Sequence, residues 1–125
     1  MIALDASALL ALLYGERGQE RVATVADEAC ISAVNLSEVL GRFARDGHDP
    51  VAVLEQIETT ALEIVPFGTE QAPLTAALVP ATLPHGLSLG DRACLALAAA
   101  RGIPALTADR TWARLDVGVD VRLIR

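Results

Sequence analysis

The chain has 125 residues and a formal net charge of −6, and 53% of its residues are hydrophobic while only 3% are aromatic. This length predicts a single domain, residues 1–125, that buries roughly two thirds of the surface exposed by its unfolded form. No apolar run approaches the roughly 20 residues that cross a bilayer. The apolar stretch Ser7–Tyr14 is preceded by Asp5 and by no basic residue, which is the wrong charge for a secretory leader. We therefore expect a cytoplasmic protein without a membrane segment.

All ten basic residues of the chain are Arg, and Lys is absent. The absence of Lys excludes Schiff-base chemistry, a P-loop lysine and a Ser–Lys nucleophile. The acidic balance argues against a protein that grips nucleic acid mainly through its phosphates. Cys30 and Cys94 lie in apolar sequence without a partner at metal-ligand spacing, so we expect two buried free thiols.

The first half of the chain alternates short apolar strands with amphipathic helices. The pattern predicts, in order, a strand at 2–4, helices over Ala6–Leu13 and Gln19–Ala29, a strand at Cys30–Ser32, a helix over Val34–Arg45, a helix that begins at Asp49-Pro50, and a strand at Leu62–Phe67.

The second half continues the same alternation. It predicts a helix over Thr69–Val79, a long loop over Val79–Leu87, a helix over Ser88–Arg101, a strand at Pro104–Thr107, a short helix over Arg110–Leu115, and a last strand at Val119–Ile124. Strands separated by helices of this length indicate an α/β fold. We expect three layers, α/β/α, with a mostly parallel central sheet and helices on both of its faces.

Four acidic residues lie close to the ends of predicted strands or the starts of predicted helices. Asp5 directly follows the first strand, and the other three are Glu38, Asp91 and Asp109. In an open parallel sheet the carboxyl ends of the strands share one edge, and ligands bind at that edge. We therefore expect the four carboxylates to gather around one crevice.

The sequence leaves a local explanation open for each of these acids. Asp5 and Asp109 are good N-cap residues for the helices that follow them. Glu38 could pair with Arg42, which is four residues further along the same helix. Asp91 completes a Ser-x-x-Asp capping-box pattern.

Carboxylates gathered in one crevice need a counter-charge. Two of them 4 Å apart repel by about 4 kcal/mol at an effective dielectric constant of 20, so the group would either take up protons or bind cations. Oxygen ligands favour Mg²⁺, or Mn²⁺, over zinc. Such a site suits phosphodiester hydrolysis with one ion or two. Ser7, Asn35 and Thr107 are candidates for orienting the carboxylates, with a local backbone hydrogen bond as the alternative for each.

Four segments of the chain together resemble the PIN-domain pattern and, more narrowly, that of the VapC-type toxins of bacterial toxin–antitoxin pairs. The segments are Asp5-Ala6-Ser7-Ala8, Asn35-Leu36-Ser37-Glu38, Leu87–Ala98 and Leu106–Arg110. Their order and spacing match over essentially the whole chain. The resemblance implies a PIN-like fold and a dimeric, magnesium-dependent endoribonuclease that cuts RNA, often tRNA or rRNA. It also implies a small antitoxin whose C-terminal segment wraps the toxin and blocks its acidic pocket.

On this resemblance Asp5, Glu38, Asp91 and Asp109 occupy the four acidic positions of the family. Asp5 and Asp91 are then the first candidates for direct metal ligands, and Asp109 is the position at which family members vary. A receiver domain and a haloacid-dehalogenase-type phosphatase resemble the chain less, because both use a lysine.

Three Arg residues near the acids are candidates for contacting an RNA substrate: Arg42, Arg92 and Arg110. The alternative for each is a solvated side chain. The alternative for the whole chain is a binding module with negligible turnover, whose acidic pocket serves mainly to dock an antitoxin.

Overall fold

A computed structural model describes the whole chain, residues 1–125, and contains one five-stranded sheet. The strands are β1 (Ile2–Leu4), β2 (Ala29–Ser32), β3 (Glu63–Val65), β4 (Ala105–Thr107) and β5 (Val121–Leu123), in the order β3-β2-β1-β4-β5. Every neighbouring pair is parallel. The predicted α/β fold with a parallel central sheet is therefore confirmed.

Seven α-helices and three short 3₁₀ helices connect the strands. The α-helices are α1 (Ala6–Tyr14), α2 (Gln19–Val25), α3 (Ala33–Arg45), α4 (Pro50–Glu58), α5 (Gln71–Ala76), α6 (Val79–Thr82) and α7 (Leu89–Arg101). The 3₁₀ helices are Ala26–Glu28, Leu83–His85 and Arg110–Arg114. None of the helices is long and apolar enough to cross a membrane.

Strand β1 contributes to a hydrophobic core on each face of the sheet, because successive strand side chains point to opposite faces. Ile2 and Leu4 belong to one core, which includes buried residues of α1, α2 and α3. Ala3 belongs to the other, which includes buried residues of α7 and Trp112 of the last 3₁₀ helix. The sheet is thus covered by helices on both sides, and the three layers are confirmed.

The strand order reverses at β1, because the chain adds β2 and β3 on one side of it and β4 and β5 on the other. Ligands of open α/β sheets bind at such a reversal, outside the carboxyl ends of the strands. The backbone N–H of Asp5 donates to the carbonyl of Leu106 at 2.9 Å, which fixes the ends of β1 and β4 side by side. The fold therefore brings the residues after β1 and β4 to one crevice.

Two sequence-based expectations about the helices are wrong. The helix predicted over Gln19–Ala29 ends at Val25, because Ala29 already pairs with Ile2 in the parallel ladder between β1 and β2. The segment Val79–Leu87, predicted as a loop, contains α6 and a 3₁₀ helix. Its prolines are located at the starts of these helices, where proline is tolerated.

Several other elements have the predicted type with shifted ends. Helix α5 spans Gln71–Ala76 rather than Thr69–Val79, the short helix after β4 is a 3₁₀ helix, and β3 and β5 have three residues each. The start of α4 is as predicted: Asp49 is its N-cap, and its side chain accepts a hydrogen bond from the N–H of Val51 at 3.0 Å.

Trp112 anchors the segment that follows β4, and we predict that replacing it is costly. Its side chain has no exposed surface and packs into the core beside α7. Trp112→Ala should lower the free energy of unfolding by about 3–5 kcal/mol, measured by urea denaturation with circular dichroism. As a control, Leu83→Ala at a side chain that is 61% exposed should change it by no more than about 0.5 kcal/mol. Equal effects of the two substitutions would contradict the anchoring role.

Candidate active site

Asp5 is located at the N-cap position of α1, but its side chain makes no capping hydrogen bond to the helix. The residue is only 5% exposed. Its Oδ2 accepts hydrogen bonds from the hydroxyls of Ser7, at 2.7 Å, and Thr107, at 2.9 Å. The local explanation offered by the sequence, a helix cap, therefore does not describe this carboxylate.

The two hydroxyls that hold Asp5 are themselves held by the backbone after β4. Ser7 Oγ accepts from the N–H of Ala108 at 2.9 Å, and Thr107 Oγ1 accepts from the N–H of Asp109 at 3.0 Å. Each hydroxyl is thus oriented to direct its own proton to Asp5. Thr107 lies two residues before Asp109, but its hydroxyl donates to the carboxylate of Asp5. Its only hydrogen bond with Asp109 is to the backbone N–H of that residue.

Glu38 is held by Asn35 of the same helix and lies against the start of α7. The side-chain Nδ2 of Asn35, which is fully buried, donates to Glu38 Oε1 at 3.0 Å and to the carbonyl of Gly90 at 2.8 Å. A Cβ added to Gly90 would lie 2.6 Å from Cδ and 2.7 Å from Oε2 of Glu38. The pairing of Glu38 with Arg42 that the sequence allowed does not form, because Arg42 pairs with Asp46 at 3.3 Å.

Asp91 combines a helix cap with a position beside the other two acids. The capping box that the sequence predicted is present: the N–H of Ser88 donates to Asp91 Oδ2 at 2.8 Å, and the N–H of Asp91 donates to Ser88 Oγ at 3.4 Å. The cap uses one carboxylate oxygen and fixes its direction. The two explanations of Asp91, capping and a place in the site, are therefore compatible.

The pKa shifts indicate that the three carboxylates share one electrostatic environment. Burial raises the pKa of Asp5, hydrogen bonds from Ser7 and Thr107 lower it, and the charge of Asp91 raises it further. Partial desolvation raises the pKa of Glu38, the hydrogen bond from Asn35 lowers it, and the charges of Asp5 and Asp91 raise it. The charge of Asp91 therefore acts on both Asp5 and Glu38, and the charge of Asp5 acts on Glu38.

The thiol of Cys94 lies within the same environment. Cys94 is fully buried on α7, one turn after Asp91. Burial raises the pKa of this thiol well above its ordinary value, and the charges of Asp5, Asp91 and Glu38 contribute in the same direction. A neutral, uncharged side chain thus adjoins the three acids, and the predicted buried free thiol is confirmed.

No basic residue neutralises the three carboxylates. The ion pairs of the chain join Arg42 and Arg45 to Asp46, Arg101 to Glu63, and Arg122 to Asp120. The hydrogen bonds described above use one oxygen of Asp5, of Glu38 and of Asp91. No side-chain donor reaches the second oxygen of any of the three. These free carboxylate oxygens are metal ligands of the kind that Mg²⁺ and Mn²⁺ prefer.

The acids are nevertheless arranged more loosely than the sequence argument supposed. No group of three or more His, Cys, Asp or Glu side chains has the close arrangement that holds a metal ion. Asp5, Glu38 and Asp91 follow β1, lie on α3 and lie on α7, respectively, and each has one oxygen tied to local partners. These hydrogen bonds fix the direction of each carboxylate, and none of them joins one acid to another.

Asp109 lies at the edge of the crevice rather than within it. It is exposed, and its Oδ1 accepts a hydrogen bond from the N–H of Thr111 at 2.9 Å, which caps the last 3₁₀ helix. Its side chain makes no hydrogen bond to the other three acids. The capping explanation thus accounts for this side chain, and only the backbone N–H of Asp109 takes part in the support of Asp5 through Thr107.

The three candidate Arg residues have different surroundings. Arg42 pairs with Asp46 and stacks over the ring of Tyr14 at 4.7 Å. Arg92 donates from Nη1 to the carbonyl of Leu87 at 2.9 Å, and its buried Nε has no partner. Arg110 is exposed and forms no ion pair, whereas Arg42 and Arg92 are half-buried.

Sequence reasoning missed Gly90 as a residue of the site. The sequence did contain a signal, which is a glycine in the first turn of an otherwise Ala- and Leu-rich helix. Glycine is less favourable than alanine for the stability of a helix. Its meaning depends on Glu38, which is 52 positions earlier in the chain, and is therefore visible only in the folded structure.

Structural relatives support the fold described above. The chain is similar to a toxin–antitoxin complex from Klebsiella pneumoniae, with 20% identity, a TM-score of 0.75 and coverage of 100% of this chain and 98% of that chain. DNA-bound VapBC from Salmonella typhimurium gives 20% identity, a TM-score of 0.73 and coverage of 99% and 98%. VapC20 of Mycobacterium tuberculosis is described as a toxin that cleaves the sarcin-ricin loop. It gives 18% identity, a TM-score of 0.74, and coverage of 96% of this chain and 99% of that chain.

A search of the curated proteins by sequence finds no match. The PIN domain family, in contrast, matches residues 2–118, which is nearly the whole chain. The chain therefore belongs to the PIN-domain family.

Proposed function

We propose that the protein is a VapC-type toxin, an Mg²⁺-dependent endoribonuclease that hydrolyses phosphodiester bonds in RNA, with tRNA or rRNA as the substrate. The observation that carries this proposal is the group of three carboxylates, Asp5, Glu38 and Asp91, beside the reversal of the sheet. Each has one oxygen free of side-chain donors, and the chain provides no cation for them. Membership of the PIN-domain family, whose members are nucleases, supports the same reaction.

Asp5, Glu38 and Asp91 are the residues that would hold the metal, Mg²⁺ or Mn²⁺, and Asp109 would join them from the edge of the crevice. A bound divalent ion lowers the pKa of a water molecule and stabilises the charge that develops on the phosphoryl oxygens. The other site residues orient this ligand set. Ser7 and Thr107 direct their protons to one oxygen of Asp5, and Asn35 does the same for Glu38, so that the opposite oxygens remain available.

Substrate contacts are assigned according to which Arg residues are free. Arg110 follows Asp109 directly and has no ion pair, so we assign it the first phosphate contact. Arg92 forms no ion pair and lies one residue after Asp91, so it is the second. Arg42 would have to leave Asp46 before it could contact RNA. With a net charge of −6, RNA binding would depend on the bound metal and on shape more than on overall attraction.

We further propose a small cognate antitoxin and a homodimeric toxin in the cytoplasm. The neighbours from Klebsiella pneumoniae and Salmonella typhimurium are toxin–antitoxin assemblies, which supports the partner. The unneutralised carboxylates favour an inhibitor that places a basic side chain in the crevice, because such a group would supply the missing counter-charge.

A second candidate function is a binding module whose acidic crevice docks an antitoxin without significant turnover. The observation that favours it is the loose arrangement of the acids, none of which belongs to a closed group of three potential ligands. The capping bonds of Asp91 and Asp109 also give both residues a structural role. Measured cleavage separates the two functions.

We predict that Asp5→Asn abolishes metal-dependent cleavage. Loss of residues that only support a metal ligand typically costs 10–100-fold, so loss of a ligand should cost more than about 100-fold in the rate of cleavage of structured RNA with Mg²⁺. The matched control is Asp116→Asn, at an exposed acid outside the crevice, which should cleave like the unchanged protein. Equal cleavage by Asp5→Asn and the unchanged protein, or cleavage that survives EDTA, would refute the nuclease proposal.

The raised pKa of Asp5 predicts that Asp5→Asn stabilises the metal-free protein. Folding raises this pKa, so the folded state binds protons more readily, and the unchanged protein loses stability relative to the variant as the pH rises through the folded-state pKa. At pH 7 the variant should therefore melt higher, by about 4 °C for each kcal/mol recovered. The difference should shrink as the pH falls toward the ordinary pKa of Asp.

Millimolar Mg²⁺ provides the companion measurement. A ligand that binds only the folded state raises its melting temperature, so Mg²⁺ should raise that of the unchanged protein and leave that of Asp5→Asn unaffected. Thermal melts followed by the fluorescence of the buried Trp112 would record both effects. A melting temperature of the unchanged protein that is insensitive to Mg²⁺ would count against the metal site.

A further inference from the structure

Gly90 is the second residue of α7, and its backbone does not explain why it is a glycine. Its φ is not positive, so the position does not require the conformational freedom of glycine. Within a helix, glycine is less favourable than every residue except proline. The space around its Cα supplies the reason instead: an added Cβ would lie 2.6 Å from Cδ and 2.7 Å from Oε2 of Glu38, closer than real Cβ contacts occur.

Asn35 holds the same carboxylate from the other side. Its Nδ2 donates both to Glu38 Oε1, at 3.0 Å, and to the carbonyl of Gly90, at 2.8 Å, so one amide group fixes the acid and the helix turn against which it lies. Asn35 is fully buried, and its Oδ1 has no partner. An unsatisfied buried acceptor is unfavourable, which indicates that the orientation of this amide is set by its two donor contacts.

We propose that Gly90 and Asn35 form a cradle that positions Glu38 for the metal, and that the missing side chain of Gly90 is a requirement of the site. Both are positioning residues, because they act through Glu38. The inference rests on the proposed function insofar as Glu38 is a metal ligand. Gly90 immediately precedes Asp91, so a carboxylate held against Gly90 is also held beside Asp91.

The cradle makes a specific prediction about adding one methyl group. In Gly90→Ala the new Cβ meets the far end of the flexible Glu38 side chain rather than backbone, so the acid moves while the helix remains. Alanine is also the better helix former. The variant should therefore fold with a melting temperature equal to or above that of the unchanged protein, while Glu38 is displaced from Asp5 and Asp91.

Gly41 of α3 offers a matched control. It too is a glycine within a helix, and an added Cβ there meets no atom within 4 Å. Titration of metal-free, full-length protein with Mn²⁺, followed by electron paramagnetic resonance, gives the affinity without reference to activity. We expect Gly90→Ala to weaken Mn²⁺ binding at least about 10-fold and Gly41→Ala to leave it unchanged. Wild-type affinity in Gly90→Ala would overturn the inference.

A second substitution tests whether the loss acts through Glu38. Glu38→Asp shortens the side chain by one methylene, which should weaken Mn²⁺ binding in the original background but restore part of the affinity when combined with Gly90→Ala. Such non-additivity is expected only for groups in contact. A double variant that loses affinity by the product of the two single effects would contradict the cradle. If Gly90→Ala does not fold, Asn35→Ala is examined in the same titration, with a loss of at least about 10-fold expected and unchanged affinity overturning the inference.

Asp5→Asn keeps this test separate from that of the proposed function. If Asp5→Asn binds Mn²⁺ as tightly as the unchanged protein, the metal site itself is wrong. If Asp5→Asn loses affinity while Gly90→Ala keeps it, the site stands and only the cradle is wrong.

Discussion

The main constraint on the site is the carboxylate of Asp5, which is buried without a basic partner. Removing a charge from water is expensive unless it is paired or hydrogen-bonded, and here two hydroxyls provide the bonds while no basic residue provides a pair. These hydroxyls are fixed by the backbone after β4, on the other side of the strand reversal. The carboxylate is therefore tolerated only where β1 and β4 end together, which ties the chemistry of the site to the topology of the sheet.

The two neighbouring acids, Glu38 and Asp91, also have a hydrogen-bond partner on one carboxylate oxygen. Asp91 closes a capping box with Ser88, and Glu38 is bound by Asn35. Structural and chemical roles are thus divided between the two oxygens of one group. Each carboxylate thus has its own hydrogen-bond donors: Ser7 and Thr107 for Asp5, Asn35 for Glu38, and the N–H of Ser88 for Asp91.

The sequence predicted several local features correctly, whereas the contacts that support the site are long-range. The strand that runs into Asp5, the start of α4 at Asp49 and the capping box of Asp91 all follow from neighbours in the chain. The end of α2 is set by the pairing of Ala29 with Ile2, and the support of Asp5 by Thr107 joins residues 102 positions apart. Such contacts depend on how the layers of the fold pack together. The spacing of hydrophobic residues and the helix-capping residues do not predict that packing.

The bond from Asn35 to the carbonyl of Gly90 has a consequence for folding. Helix α3 contributes Val39 to the core on one face of the sheet, whereas α7 contributes Cys94 to the core on the other. The amide of Asn35 therefore joins the two outer layers directly at the crevice. The donor of this bond lies on α3 and its acceptor on α7, so this wall of the crevice is complete only when both layers have packed on the sheet.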